Sequence, residues 1–325
     1  MTSRFALTFL SALSVLGASS ATAQAPAKEP IRLIVGFAPG GPSDIVGRIA
    51  AEILSAKLGT TVVVENRAGA SGAIAADAVA NAKPDGQTLL VNVTADIVNP
   101  VINKNPSQFI NKRFEPVALL ATAPNVLVVH PDVPVKTANE LIAYLKSDKG
   151  KNSLSYASAG LGTVSHLSGL LFANAAGVPM VNIPYKGTAA AQVDLLAGRV
   201  PIMFDSLSSG LVNAKAGKVK ALAVTSPKRW PLAPELPTLE EVGLPETDMM
   251  AVFGLLAPMG TPKPVVDKIS TALLEGMRSP EVRKRINNMG AEPGDWSPQE
   301  YGAYLNKQVD RWQSFASQGK FDINK

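Results

Sequence analysis

Short apolar runs alternate along most of the chain with segments in which apolar residues recur at helical spacing. The first run, Ile31–Phe37, shows little alternation of apolar and polar residues, as expected for a strand covered on both faces. A turn rich in glycine and proline follows, and Ser43 and Asp44 are good N-cap residues for a helix over Ile45–Leu58. The pattern therefore predicts a strand, a turn and a helix in succession.

The same succession recurs to the end of the chain. Further strands are predicted over Thr61–Glu65, Thr88–Val93, Val117–Ala123, Val126–His130, Leu154–Ala157, Met180–Ile183, Ile202–Phe204, Lys220–Val224 and Val252–Ala257. Further helices are predicted over Ile74–Ala82, Lys136–Ser147, Val164–Ala175, Ala189–Ala197, Leu207–Ala216, Lys263–Met277, Pro280–Met289 and Pro298–Ser317. Alternation of this kind predicts an α/β fold with parallel sheets covered by helices on both faces.

The number of strands and their order predict two doubly wound α/β domains with a ligand cleft between them. Ten or so strands are too many for one open sheet in a chain of this length. The late strand Val252–Ala257 follows a loop rich in proline and acidic residues, which indicates a return to the first domain. The predicted division places residues 24–122 and 252–325 in domain I and residues 123–251 in domain II. Two crossover strands would then form a hinge.

The amino terminus has the pattern of an export signal. Arg4 supplies a positive charge, Phe5–Leu16 is an apolar core, and Ala21-Thr22-Ala23 fits the small-x-small cleavage rule. The apolar core is too short for a membrane span, which needs about 20 residues. We therefore expect residues 1–23 to be a signal peptide and the mature protein to be periplasmic.

Composition excludes several classes of site. The chain has 46% hydrophobic and 18% charged residues, enough for a sizeable core, and no cysteine, so disulfides, thiolate metal sites and a cysteine nucleophile are excluded. Lysine and arginine are scattered rather than clustered, which argues against nucleic acid as a partner. With two histidines and no acidic cluster at ligand spacing, no metal site is expected. Gly160-x-Gly162 lacks the third glycine of a dinucleotide fingerprint, so no cofactor is expected.

Three turns are candidate walls of the cleft: Phe37–Asp44, Ser158–His166 and Ile183–Thr188. Each joins the end of a strand to the start of a helix and offers glycine backbone and a hydroxyl group, which suits a carboxylate. Ligands of open α/β sheets bind beyond the carboxyl ends of the strands. The turns therefore predict capture of a small organic anion.

For several candidate residues the sequence leaves two roles open. His166 either contacts the ligand or caps and packs locally, and Asp205, at the end of an apolar strand, either holds a cleft loop or accepts from a ligand group. Tyr185 and Phe37 either pack on the ligand or belong to the core, and Thr94 is a further hydroxyl candidate.

Two other functional classes compete with a transport receptor. An exported hydrolase using a serine and His166 would need a Gly-x-Ser-x-Gly elbow, and a zinc hydrolase a His-Glu-x-x-His motif; the chain contains neither. A sensory receptor that presents its ligand to a signalling partner is not distinguished from a transport receptor by the sequence.

The chain resembles the Bug-type periplasmic solute receptors of the tripartite tricarboxylate transporter system over essentially its whole mature length. The matching stretches are Ile31–Asp44, Val64–Gly72, Lys83–Gly86, Ser158–Leu167, Ile183–Gly187, Ala223–Thr225 and Pro237-Thr238. The resemblance implies a type II periplasmic-binding fold that closes on a small carboxylate without catalysis, acts as a monomer, and delivers the ligand to integral membrane subunits. It also implies the ligand contacts, which are Phe37, Ala38, Gly41 and Ser43 on one side, Ser158, Gly162, Thr163 and His166 on the other, and Thr94 and Asp205 near the site.

Overall fold

The structure is a computed structural model, and it describes residues 29–150 and 155–318. The predicted signal peptide, residues 1–23, lies outside the described residues, as does Leu154 at the start of one predicted strand. None of the helices in the described ranges has both the length and the apolar character that crossing a membrane requires.

Strands and helices alternate as the sequence pattern predicts. The strands are β1 Ile31–Val35, β2 Val62–Asn66, β3 Thr88–Val93, β4 Phe114–Val129, β5 Ser155–Ser158, β6 Val181–Pro184, β7 Ile202–Ser206, β8 Lys220–Val224, β9 Met250–Pro258 and β10 Glu292–Pro293. The helices are α1 Pro42–Leu58, α2 Ala73–Ala80, α3 Thr94–Ile102, α4 Ile110–Arg113, α5 Ala138–Lys146, α6 Val164–Ala176, α7 Thr188–Leu196, α8 Leu207–Lys215, α9 Lys263–Met277, α10 Pro280–Asn287 and α11 Pro298–Ser317. The fold class is α/β, as predicted.

One long strand joins two groups of parallel strands. The strand order is β2-β1-β3-β9-β4-β7-β5-β6, and β8 and β10 also pair with β4. Residues 114–124 of β4 pair antiparallel with β9, whereas residues 125–129 pair with β7 and β8. We call β1, β2, β3, β9 and the first part of β4 the first half-sheet, and β5, β6, β7, β8 and the second part of β4 the second half-sheet.

Helices cover both faces of each half-sheet with apolar side chains. In the first half-sheet one face packs against α1, α9 and α10, and the other against α2, α3 and α11. In the second half-sheet α5 and α6 cover one face, and α7 and α8 the other. Alternate residues of β4 serve the two faces, since Leu127 and Val129 join one cluster and Val126 and Val128 the other. This alternation produces the nearly continuous apolar runs in the sequence.

Two larger features of the fold differ from the prediction, and the short elements α4 and β10 were not predicted either. The predicted strands Val117–Ala123 and Val126–His130 are parts of the single strand β4. Pro124 does not break this strand, since it lies where β4 passes from one half-sheet to the other and it still pairs with Met250. Helix α3 was not predicted at all. It contains Pro100, a residue that argues against a helix interior.

Candidate functional site

The predicted site residues lie where parallel strands end. The first turn follows β1, Thr94 follows β3, the second turn follows β5, Tyr185 follows β6, and Asp205 lies near the end of β7. Because β1 and β3 run parallel, as do β5, β6 and β7, the carboxyl ends within each half-sheet share one edge.

The side chain of Asp44 stabilises the first candidate turn, Phe37–Asp44, but Asp44 is not the N-cap of the helix that follows. Helix α1 begins at Pro42 with Gly41 as N-cap and no side-chain cap, so the prediction of Ser43 or Asp44 as N-cap was wrong. Proline at the first helical position needs no N–H partner, and the extended Gly41 leads directly into it. Asp44 instead accepts from the Gly40 N–H at 3.0 Å, which closes the turn from inside the helix.

The carboxyl group of Asp44 stays charged in this position. It also accepts from Asn66 Nδ2 at 2.9 Å and pairs with Arg48 at 2.9 Å. Burial acts to raise the pKa of Asp44, but the hydrogen bonds from Arg48, Gly40 and Asn66 outweigh it and hold that pKa below its ordinary value. Asn66 also donates to the Phe37 carbonyl at 3.0 Å, so β2 holds the turn at both ends.

The turn leaves backbone donors at the start of α1. Ala38 is exposed, Phe37 and Gly41 are half-buried, and Ser43 is 5% exposed. N–H groups in the first turn of a helix have no acceptor inside the helix, and the helix dipole places partial positive charge there. This end of α1 can therefore bind an anion.

The second turn is a capped helix start built on glycine. Thr163 caps α6 by accepting from the His166 N–H at 3.4 Å, and its hydroxyl donates to the Gly160 carbonyl at 2.7 Å. Gly162 has a φ of +73°, which other residues rarely adopt, and its N–H donates to His166 Nδ1 at 3.0 Å. Ser158 Oγ accepts from the Gly160 N–H at 3.4 Å.

His166 is engaged locally. It is 3% exposed, and burial lowers its pKa to about 4, so the ring is neutral at pH 7. The hydrogen bond from Gly162 makes Nδ1 the acceptor and puts the ring proton on Nε2. Among the hydrogen bonds of the described residues none joins a serine hydroxyl to this ring, which is the contact a serine–histidine hydrolase would use.

The third turn lies against the second. The Tyr185 N–H donates to the Ser158 carbonyl at 2.9 Å, and the Gly187 N–H donates to the Ala159 carbonyl at 3.1 Å. The Tyr185 hydroxyl donates to Asp194 of α7 at 2.6 Å, and burial together with this carboxylate raises its pKa to about 12. The side chain of Tyr185 is thus tied to its own helix.

Asp205 and Thr94 are also bonded within the protein. Asp205 is 1% exposed and accepts from Gln192 at 2.7 Å, from the Ser206 N–H at 2.8 Å and from Ser209 at 3.1 Å, while burial raises its pKa. Thr94 donates to the Met250 carbonyl at 3.1 Å and accepts from the Val252 N–H at 3.0 Å. These contacts support a role in holding loops and strands for both residues.

A row of residues links the first turn to the second. A Cβ on Gly72 would lie 3.5 Å from the Phe37 ring and 2.7 Å from Asp96 Oδ1, and a Cβ on Gly162 would overlap Asn99 Oδ1. A cavity of about 250 Å³ lies along this row and includes Asp96, Asn99 and Gly162 in its lining. The two half-sheets therefore meet where α3 faces the second turn.

Sequence reasoning missed the α3 part of this row. Asp96 accepts from the Val93 N–H at 2.7 Å, and burial raises its pKa to about 7. A signal was present, because Ile97, Val98 and Val101 have helical spacing and Asp96 stands at the third position of the helix, where a carboxylate caps the first turn.

The fold and the site define a solute-binding receptor with a periplasmic-binding-protein fold. Residues 46–319 match the family described as "Tripartite tricarboxylate transporter family receptor". The chain belongs to this family, whose members include the periplasmic Bug proteins.

Solved structures of similar proteins support the same class. The periplasmic binding protein BugD is 38% identical, with 90% of this chain and 98% of that chain covered and a TM-score of 0.74. A protein of Rhodopseudomonas palustris solved with adipate is 33% identical, with 89% and 96% covered and a TM-score of 0.76. MatC from the same organism, solved with bound malate, is 33% identical, with 88% and 98% covered and a TM-score of 0.75.

Proposed function

We propose that this receptor captures a small organic carboxylate between the first turn and the second turn and delivers it to the membrane subunits of a tripartite tricarboxylate transporter. The observation that carries the proposal is the placement of helix starts, since α1 and α6 both begin at glycine-rich turns after parallel strands. Their N–H groups and dipoles attract negative charge without a buried cation. Adipate and malate in the two related structures are both small carboxylates.

The binding proposal is tested by thermal unfolding with a panel of carboxylates that includes malate and adipate. A ligand at about 100 times its dissociation constant adds about 2.7 kcal/mol to the stability of the folded state, which corresponds to a rise of roughly 4 °C in the melting temperature for a protein of this size. The uncharged diamide of each acid is the matched control and should give no shift. The proposal fails if no carboxylate of the panel raises the melting temperature at about 10 mM.

We further propose that residues 24–122 with 252–325, and residues 123–251, are two domains that close on the ligand. Support comes from β4, whose two parts pair with different strands, and from β9, which returns the chain to the first half-sheet. Small-angle scattering should show a smaller radius of gyration with bound carboxylate, and an unchanged radius at saturation would contradict closure.

The site of action that we propose is the periplasm, reached through cleavage of residues 1–23, with one chain as the binding unit. The amino-terminal pattern and the periplasmic relatives support this. Fractionation of cells, mass spectrometry of the mature protein and light scattering of the purified receptor test the three parts separately. Cytoplasmic retention, an uncut amino terminus or a stable dimer would each contradict the corresponding part.

A further inference from the structure

A second cavity lies beside the strands that join the half-sheets. It has a volume of about 370 Å³, within the range of about 300–1,000 Å³ typical of small-molecule sites. All three tryptophans of the chain, Trp230, Trp296 and Trp312, contribute to its lining, and we call it the tryptophan cavity. Thr94 is the one predicted ligand contact that also lines it, so the cavity is separate from the turns that form the carboxylate site.

The walls of the tryptophan cavity suit a flat apolar body. The rings of Trp296 and Tyr304 have centroids 5.2 Å apart, and the guanidinium of Arg311 lies 5.9 Å from the Trp312 ring. Trp230 is buried and anchored by a hydrogen bond from its indole N–H to the Gly290 carbonyl at 3.2 Å. Aromatic walls held in this way favour an aromatic ring over an aliphatic chain.

A buried hydroxyl in the lining lacks a partner. Ser226 is 2% exposed, and its Oγ has no hydrogen-bond partner among the described residues. Buried polar atoms in proteins are nearly always hydrogen-bonded, so an orphan hydroxyl among the lining residues has the capacity for one further partner. A polar atom of a bound molecule would supply it.

Two charged residues of the lining, the exposed Lys228 and the half-buried Glu292, remain available for a ligand. Arg311 pairs with Asp248 at 2.9 Å, and Arg229 pairs with Glu241 at 3.0 Å. Lys228 and Glu292 line the cavity but form no ion pair within the described parts of the chain. The lining therefore offers one free cation and one free anion.

We propose that the tryptophan cavity is a second small-molecule site that takes an aromatic zwitterion, a single aromatic ring carrying both a carboxylate and an ammonium group. The ring packs among the tryptophans, the carboxylate faces Lys228, the ammonium faces Glu292, and one polar atom bonds to Ser226. Its chemistry differs from that of the first site, which offers backbone donors and helix dipoles to a carboxylate.

The test uses intrinsic tryptophan fluorescence, since every tryptophan lines this cavity, with calorimetry as a second readout. Phenylalanine is the zwitterionic probe, and phenylacetate and phenethylamine each lack one charge. We expect phenylalanine to change the emission saturably and to bind at least about fivefold more tightly than either analogue. The proposal is overturned if phenylalanine gives no saturable signal and no heat up to about 10 mM, or if both analogues bind equally well.

Charge variants locate the probe. Lys228→Gln and Glu292→Gln should each weaken phenylalanine binding by about fivefold, as expected for the loss of one partly exposed charge pair. The controls Lys218→Gln and Glu240→Gln remove exposed charges elsewhere and should not alter it. If Gly162→Ala, which changes the second turn, abolishes binding while Lys228→Gln and Glu292→Gln leave it unchanged, the probe sits in the carboxylate cleft and the proposal is wrong.

Discussion

At the scale of single residues, the predicted contacts divide into exposed backbone and internally bonded side chains. Ala38 and Gly41 leave main chain accessible at the start of α1, whereas His166 and Asp205 are buried and hydrogen-bonded within the protein. The polar side chains near the cleft therefore shape the turns that present backbone donors. Because these side chains are bonded within the protein, we expect a change in their protonation to change the stability of the folded state.

The lowered pKa of His166 predicts a stability loss in acid. The pKa of His166 is about 4 in the folded state and near 6.5 in the unfolded chain. The contribution of the neutral ring to the free energy of unfolding is therefore fully present above pH 6.5 and is lost as the pH falls toward 4. We expect His166→Gln to be less stable than the native chain at pH 7.5, with the gap reduced by about 2 kcal/mol at pH 4.5. Urea denaturation of both proteins, with His130→Gln as control, measures the gap; a gap independent of pH would refute the assignment.

The raised pKa of Asp96 predicts the opposite pH dependence. The folded carboxyl titrates at about 7 instead of 3.8, so its contribution favours folding at low pH and is lost as the pH rises from about 4 to 7. Asp96→Asn keeps an acceptor for the Val93 N–H. The stability of the variant relative to the native chain should increase by about 2 kcal/mol between pH 5 and pH 8. Denaturation at the two pH values tests this, and equal differences would contradict the burial argument.

At the scale of elements, the apolar pattern predicted most helices and strands, because most of them bury apolar side chains between a sheet face and the helices that cover it. The pattern did not predict that β4 belongs to both half-sheets. The strands that pair with β4 are distant in sequence, and Pro124 suggests the end of a strand. Helix α3 was not predicted for a similar reason. Pro100 argues against a helix in the local sequence, whereas packing of Ile97, Val98 and Val101 in the core stabilises it. The turns of the site could be predicted from glycine and capping residues, but the contact of Asn99 with the second turn depends on tertiary structure.

One hydroxyl at the start of α3 adds to the backbone pairing of β3 with β9. Thr94 bridges the Met250 carbonyl and the Val252 N–H, both backbone groups of β9. Thr94→Val keeps the shape but leaves both groups without this partner, so we expect a loss of about 2–3 kcal/mol in the free energy of unfolding. Thr94→Ser retains the hydroxyl and should cost less than about 1 kcal/mol. Equal stability of the two variants would show that the bridge contributes nothing.

At the scale of the whole molecule, the two half-sheets approach each other closely at Gly162. A side chain there would meet Asn99 from α3, and the left-handed backbone adds strain. Gly177 at the other end of α6 has a similar conformation, with φ of +65°, and open space around it. The two glycines therefore form a matched pair that separates backbone strain from the contact.

Gly162→Ala should impair binding, whereas Gly177→Ala should not. Gly177→Ala is expected to lose about 1–2 kcal/mol of stability from backbone strain, and Gly162→Ala should lose at least as much, because its Cβ also overlaps Asn99 Oδ1. Only Gly162→Ala should also weaken carboxylate binding, by about tenfold or more, because the added methyl group opposes closure against Asn99. Calorimetry with whichever of malate and adipate binds gives the comparison, and equal affinities for the two variants would contradict a closing contact at this point.

The central claim is that the carboxylate lies between the first turn and the second turn, bound by the starts of α1 and α6. A crystal structure with a bound carboxylate tests it most directly. We predict density for the carboxylate within hydrogen-bonding reach, directly or through one water, of the backbone at Gly41–Ser43 on one side and of the Val164 and Ser165 N–H groups at the start of α6 on the other, since the Gly162 and Thr163 N–H groups are bonded within the turn. A saturating carboxylate found only in the tryptophan cavity, or anywhere outside these two turns, would contradict the account.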